Sequence, residues 1–90
     1  MSIQVHIPAP LRPATGGNAV VSVAGGSVRQ ALAAVGASYP EFAGKLFEGA
    51  ALKRFINVFV NDEDIRYLDN LDTAVKDGDE VSIIPAVAGG

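Results

Sequence analysis

The segment SVRQALAAVG carries the strongest helix pattern in a chain whose other periodic segments alternate as strands do. Its apolar residues recur at helical spacing and form one stripe, made of Val28, Ala31, Leu32 and Val35. Ser27 is placed to cap the helix and Gln30 completes a capping box, while Gly36 and Pro40 predict where the helix stops. A lone helix can bury such a stripe only against one face of a sheet, so the pattern predicts a two-layer α+β domain.

Strand patterns flank the helix on both sides. SIQVHI alternates apolar and polar residues near the N-terminus, as a half-buried strand does. A proline-rich stretch and then Gly16 and Gly17 interrupt the chain before AVVSV resumes, which predicts a β-hairpin with a long loop. After the helix, the segment from Pro40 to Gly49 is predicted to be an ordered loop, with at most a short helical turn at its start.

The segment FINVFVNDEDIRYL is the strongest hairpin signal, because two apolar segments flank the polar NDED. One face of its first strand is aliphatic, and Phe55 and Phe59 are predicted to lie on the other face, directed outward or onto a peripheral loop. AVKDGDEVSIIP then predicts a turn and a last strand whose hydrogen bonding ends at Pro85. These patterns predict one domain over residues 1–85 and a flexible tail over residues 86–90.

Composition narrows the classes of function. A chain of 90 residues is one small domain with little room for a large internal catalytic cavity. A net charge of −3 and a pI near 4.8 argue against nucleic-acid binding, which needs a basic surface. The absence of cysteine excludes a disulfide framework and a thiol nucleophile, and it suits a cytoplasmic protein. The sequence has no long apolar run, so no membrane span is predicted.

Catalytic and metal-binding patterns are also missing. His6 is the sole histidine, and it has no second histidine or cysteine with which to form a metal cluster, so we expect a surface role. The serines fit no nucleophile-elbow pattern, and TGGN and AGGS match neither a P-loop nor a dinucleotide fingerprint. The sequence therefore predicts no catalytic residue and no metal site of its own.

Negative charge is concentrated between residues 62 and 80, where eight acidic residues accompany two basic ones, for a local charge of −6. Closely spaced carboxylates such as those in this stretch can bind Ca²⁺, but the spacing of a calcium loop is absent. Two interpretations remain, a solvated surface or a docking surface for a basic partner. The docking surface would comprise Asp62, Glu63 and Asp64 with Phe55 and Phe59.

The chain ends PAVAGG, with two glycines directly after the last strand pattern. The α-carboxylate is anionic at neutral pH and must be activated before a nucleophile can attack it. An acyl-adenylate formed by another enzyme would supply AMP as a leaving group. Because glycine has no side chain, Gly89 and Gly90 would let the tip enter a narrow channel, with Ala88 and Val87 following. The sequence therefore predicts that Gly90 is the reacting residue.

The sequence resembles the ThiS/MoaD family of ubiquitin-like sulfur carriers over nearly its whole length. The likeness rests on the terminal Gly-Gly and on the segments RFINVFVNDEDIR, DGDEVSIIPAVAGG and IPAPLRPATGG. The middle and N-terminal segments are most similar to those of a member that serves cysteine biosynthesis in actinobacteria. The resemblance implies a β-grasp fold, with a mixed sheet of about four to five strands packed on one main helix. It also implies a carrier that is not an enzyme and binds no cofactor itself.

The resemblance further implies a set of partner enzymes. An E1-like adenylyltransferase and sulfurtransferase would use ATP to adenylate Gly90 and convert it to a thiocarboxylate. A PLP-dependent cysteine synthase would form an aminoacrylate from O-phosphoserine, which the sulfur attacks before an acyl shift leaves cysteine amide-linked to the glycine. A JAMM-type zinc metalloprotease would then release the cysteine. ATP, PLP and zinc thus belong to the partners.

Other functions remain open on the sequence alone. The chain could be the small subunit of molybdopterin synthase or a carrier of sulfur for thiamin. It could be a ubiquitin-like modifier that forms isopeptide bonds with lysines. It could also be a β-grasp binding module that never uses its terminus.

Overall fold

A computed structural model describes residues 2–49 and 51–85. Its strands and α-helices are, in chain order, β1 (Ile3–His6), β2 (Val20–Val23), α1 (Val28–Ser38), α2 (Pro40–Leu46), β3 (Phe47–Glu48), β4 (Ala51–Leu52), β5 (Ile56–Val60), β6 (Glu63–Asp64) and β7 (Glu80–Pro85). Short 3-10 helices occupy Ala9–Thr15, Ile65–Tyr67 and Asn70–Asp72.

The main sheet has five strands in the order β2-β1-β7-β5-β6. The first and last strands of the chain are neighbours in its centre, and β1 and β7 run parallel whereas the other pairs are antiparallel. This mixed sheet and the helix layer confirm the predicted α+β, β-grasp fold. The predicted N-terminal hairpin is β1 and β2, and its proline-rich loop contains the 3-10 helix Ala9–Thr15, which the sequence did not predict.

The main helix starts where its capping signal lies. The Ser27 hydroxyl accepts a hydrogen bond from the Gln30 backbone N–H at 3.2 Å, and Gln30 Oε1 accepts one from the Gly26 N–H at 2.7 Å. Both ends of the capping box are therefore occupied, although the glutamine reaches Gly26 and not the cap residue. Of the two predicted stop signals, Gly36 does not end the helix, which continues to Ser38, whereas the stop before Pro40 is confirmed.

The prediction of a loop after Pro40 is also wrong. Pro40 opens the helix α2, and the side chains of Phe42 and Leu46 in this helix are fully buried. Burial of these two side chains stabilises a helix too short to form alone. Gly36 lies against α2, since a Cβ at Gly36 would sit 3.0 Å from the Cβ of Ala43. Glycine often ends a helix, but Gly36 lies within α1 and allows α1 and α2 to come into contact.

The core lies between the helices and one face of the main sheet. The alternating strand residues supply it as predicted, with Val5, Val58 and Val81 almost wholly buried. The second predicted hairpin is β5 and β6, joined by Asn61 and Asp62, both of which have positive φ. Two successive left-handed residues make the turn that matches the twist of paired strands.

Candidate functional site

The residue expected to react, Gly90, and the tail residues expected to enter a partner's channel lie outside the described part of the chain. Those residues are Val87, Ala88, Gly89 and Gly90, and their predicted role as a flexible reactive tail stays a prediction. The structure does place the strand that precedes them. Pro85 ends β7 and is paired with Ile56 at the start of β5, so the terminal segment begins beside this edge of the molecule.

The face of the sheet turned away from the helices forms a mixed apolar and polar surface, which we call the open face. Its central row crosses all five strands in register and ends at Asp64 on β6, and a second row lies beside it. The open face comprises Val20, His6, Ser82, Phe59, Asn57 and Ile84.

The two phenylalanines predicted to point outward are placed differently. Phe55 precedes β5 and is 51% exposed, whereas Phe59 lies on the open face and is partly buried. Ile84 and Val20 are also exposed aliphatic residues of this face, and the sequence analysis did not single them out. The alternation in β7 could have identified Ile84, because Ile83 before it is buried and Pro85 after it ends the strand.

His6 has a local structural partner on the same surface. Its Nε2 lies 2.8 Å from Glu80 Oε1, and both side chains are partly exposed. Within residues 2–49 and 51–85, no group of three or more His, Asp or Glu side chains could hold a metal ion. His6 is therefore a surface residue paired with a carboxylate, in keeping with its predicted surface role.

The three acidic residues of the predicted docking surface separate into two kinds. Asp62 and Glu63 are exposed at the tip of the β5–β6 hairpin. Asp64 is buried, and its Oδ2 accepts a hydrogen bond of 2.7 Å from Arg66 Nη2. The hydrogen bonds from Arg66 lower the pKa of the Asp64 carboxyl. A free carboxylate for a basic partner is thus offered by Asp62 and Glu63.

Asn61 connects this hairpin tip to the start of β7. Its side chain donates a 2.9 Å hydrogen bond to Asp79 Oδ1 and accepts a 3.0 Å bond from the Glu80 backbone N–H. The bond from Asn61 is the main reason that the pKa of Asp79 lies below its ordinary value, followed by the Lys76 backbone N–H. These contacts give Asp79 a structural role, so part of the acidic cluster between residues 62 and 80 is explained without a docking partner.

Comparison with known proteins points to one family. The family model described as "ThiS family" matches residues 5–90. The sulfur carrier protein CysO of Mycobacterium tuberculosis is 43% identical over 93 residues, which covers 100% of both chains. Small archaeal modifier protein 3 of Haloferax volcanii is 41% identical over 64 residues, covering 71% of this chain and 70% of the relative.

A solved structure agrees with the sequence matches. In a crystal structure described as the Amycolatopsis orientalis BexX/CysO complex, the matching chain has a TM-score of 0.92 and 43% identity. The match covers 98% of this chain and 99% of that one. Among the described residues, no helix has both the length and the apolar character needed to cross a membrane.

Proposed function

The chain belongs to the ThiS family, and from that premise we propose that it is a sulfur carrier whose C-terminal Gly90 is converted to a thiocarboxylate. The observation that carries this proposal is the full-length likeness to the sulfur carrier CysO of Mycobacterium tuberculosis. The match to the family model runs to residue 90 and so includes the terminal Gly-Gly. The protein acts as a carrier that partner enzymes modify, and not as an enzyme.

The proposed activation has two balanced steps. A carboxylate oxygen of Gly90 attacks the α-phosphorus of ATP, and pyrophosphate leaves. A sulfide ion then attacks the carbonyl carbon of the acyl-adenylate, AMP leaves, and the glycine ends in a thiocarboxylate. Adenylation is required because a free carboxylate, anionic at neutral pH, is a poor electrophile. An E1-like enzyme supplies the site for both steps.

Glycine at the last two positions serves the approach to that site. With no side chains, Gly89 and Gly90 can lie close to a nucleotide and pass through a narrow channel, while Ala88 and Val87 occupy its entrance. Five residues beyond Pro85 can span about 17 Å when extended, so the tip reaches a partner's active site while the domain remains outside. The domain itself supplies recognition.

We assign this recognition to the open face and its surroundings. Phe59 and Ile84 offer apolar contact. Phe55 directly precedes Ile56, which is paired with Pro85 at the end of β7. Asp62 and Glu63 add carboxylates at the hairpin tip, which fit a basic strip on a partner. The hairpin tip lies at the end of β5 opposite to Pro85, so a partner that holds the terminus and also reaches the tip contacts the domain along the length of this strand.

The pathway that receives the sulfur is proposed to be cysteine biosynthesis. A PLP-dependent cysteine synthase supplies the aminoacrylate acceptor from O-phosphoserine, and a JAMM-type zinc metalloprotease releases the finished cysteine from Gly90. The support for this choice is the CysO likeness over the full chain. ATP, PLP and zinc are cofactors of these partners, and the carrier binds none of them permanently.

The test is intact-protein mass spectrometry after incubation with ATP, sulfide and the activating enzyme of the same organism. The full chain should gain the mass difference between sulfur and oxygen at its terminus. A variant lacking Gly90 should gain nothing while unfolding at the same temperature, because the deleted residue follows the last strand. Failure of the full chain to gain sulfur, with an enzyme proven active on another carrier, would refute the proposal.

A second candidate function is protein modification, which the likeness to small archaeal modifier protein 3 favours. In that case the activated Gly90 forms an amide with a lysine of another protein. Peptide mass spectrometry of host proteins distinguishes the two, since a modifier leaves Gly-Gly remnants on lysines. Stable co-purification with a large molybdopterin synthase subunit, or sulfur transfer in thiamin synthesis, would instead favour the remaining alternatives.

A further inference from the structure

A cavity of about 420 Å³ opens beside the first half of β5. The strand β6 pairs only with Phe59 and Val60, so in the described part of the chain no strand covers Ile56–Val58 on that side. Residues near β4 form one wall, and the 3-10 helices after β6 form the other. The apolar lining comprises Leu52, Ile56, Val58, Ile65 and Leu71.

This cavity concentrates positive charge on an acidic protein. Of the seven lysine and arginine residues in the sequence, four line it, together with two aspartates. The rest of the chain holds three cations and eight acids, a formal charge of −5. We call this feature the basic groove, and its cations are Arg29, Lys53, Arg54 and Arg66.

The four cations are not equivalent. Arg29 lies 3.3 Å from Asp72 and Arg66 lies 2.7 Å from Asp64, so each is matched by a carboxylate of the groove itself. Across residues 2–49 and 51–85, the other two have no ion-pair partner, and these are Lys53 and Arg54. The groove therefore has an apolar floor and uncompensated charge at one end.

We propose that the basic groove binds an acidic, extended segment of the activating enzyme, as a second contact that adjoins the open face at Asn57. The inference rests on the proposed function for the identity of that partner. Charge complementarity selects an acidic occupant on a surface that elsewhere repels one. The apolar floor accepts a hydrophobic side chain between the carboxylates of such a segment.

The location ties the groove to the terminus. Ile56 lines the groove and is also the residue paired with Pro85, where β7 ends. Any protein that holds Gly90 must pass close to this edge. Lys53 and Arg54 line the groove together with Ile56, so a segment bound there steers the tail toward the partner's active site.

A peptide fits the groove better than a nucleotide does. Arg66 and Arg29 are already paired with Asp64 and Asp72, so a compact polyanion such as a triphosphate meets only two unmatched cations and gains nothing from the apolar floor. An extended peptide instead spaces its carboxylates and places them near the unmatched cations. The two ligand classes give different outcomes in the same titration.

The direct test follows methyl signals of isoleucine and valine in the full chain by NMR. The probe is a blocked synthetic peptide of alternating glutamate and leucine. Shifts should appear at Ile56, Val58 and Ile65 and not at Val20, which lies on the open face at the far edge strand β2. Shifts confined to the open face, or equal shifts with ATP alone, would overturn the proposal.

The matched variants remove two cations from different places. Lys53→Ala with Arg54→Ala should weaken peptide binding by about tenfold and reduce its salt dependence, because these cations lack internal partners. Lys45→Ala with Lys76→Ala removes the same charge away from the groove and should leave the affinity within about twofold. Equal losses in the two double variants would show that net charge, and not the groove, governs binding.

A kinetic readout separates this proposal from the proposed function. With the activating enzyme and ATP, the Lys53 and Arg54 double variant should need about tenfold more carrier for half-maximal thiocarboxylate formation. If the full chain gains no sulfur at any concentration, the proposed function fails. If both double variants behave like the unaltered chain while sulfur is gained, only the groove proposal fails.

Discussion

On the face of the main sheet that meets the helices, Val58 is 1% exposed, whereas Ile84 on the open face is 48% exposed. The two residues belong to adjacent antiparallel strands, β5 and β7, and lie one register position apart. Because side chains alternate along each strand, residues that fill the core and residues that face outward lie within a few ångströms of one another. The covered face holds the domain together, and the open face is the proposed recognition surface.

In this comparison the residues of β5 and β7 that face the helices serve folding, and those on the open face are proposed to serve recognition. Ile56 and Val58 are exceptions, because they are buried and also line the basic groove. The covered face consists of aliphatic side chains packed on α1 and α2. The open face mixes apolar residues with His6, Ser82 and Asn57, a composition suited to reversible contact. Changes on one face should therefore alter stability, and changes on the other should alter partner binding.

The largest effect should come from truncating the covered side. Leu32→Ala removes a fully buried side chain of α1 and should lower the free energy of unfolding by about 3 kcal/mol. Ile84→Ala on the open face should cost less than about 1 kcal/mol, because the side chain is half exposed already. Urea unfolding followed by circular dichroism measures both, and equal losses would break the comparison.

The next effect is expected at the hairpin tip, where the two faces meet. Asn61→Ala loses two hydrogen bonds and places alanine at a φ of 47°, so it should cost about 2 kcal/mol of unfolding free energy. Asn61→Gly keeps the backbone conformation and should cost about half as much. Both variants should raise the pKa of Asp79 toward its ordinary value in a carboxyl NMR titration. An unchanged Asp79 pKa would contradict the assigned cause.

Within the helix layer, adding one methyl group should change stability in opposite directions at two glycine positions. Gly36→Ala places a Cβ 3.0 Å from that of Ala43 and should cost about 1 kcal/mol despite the better helix propensity of alanine. Gly44→Ala adds the same methyl where nothing lies within 4 Å and should stabilise by about 0.5–1 kcal/mol. Thermal unfolding compares the two variants. Restoration of stability in the Gly36→Ala, Ala43→Gly double variant would identify the clash as the cause.

The smallest expected effect concerns the ion pair between Asp64 and Arg66, at the β6 edge of the main sheet. Since the folded pKa of Asp64 is lowered by Arg66, the pair contributes stability above the unfolded pKa of about 4, and this is lost as pH falls through the folded value. Arg66→Gln should therefore destabilise the protein at neutral pH and have a diminishing effect below about pH 4. Denaturation midpoints across this range measure the difference. A loss that stays constant with pH would assign the effect to packing instead.

Local patterns predicted much of this architecture. The covered residues of β5 and β7 follow strict alternation, the α1 start follows Ser27 and Gln30, and the hairpin turn lies where NDED predicts it. Each of these signals is read within a few residues along the chain. They indicate faces and turns because backbone geometry converts sequence period directly into side-chain direction.

Features that depend on distant contacts were not predicted. The helix α2 exists because Phe42 and Leu46 find a core to enter, and Gly36 is helical because Ala43 packs on it. The basic groove gathers Arg29, Lys53 and Arg66 from three separate segments, so no window of sequence contains it. The terminal segment is the reverse case, since its composition predicts a reactive role for residues outside the described part of the chain.

The central position of β7 has a mechanical consequence. Its neighbours are β1 on one side and β5 on the other, and the strand ends at Pro85, just before the segment that partners are proposed to grip. Tension applied to that end runs along the strand axis, so both ladders are loaded in shear and their bonds must yield together. A partner can therefore pull on the terminus without peeling the domain open one rung at a time.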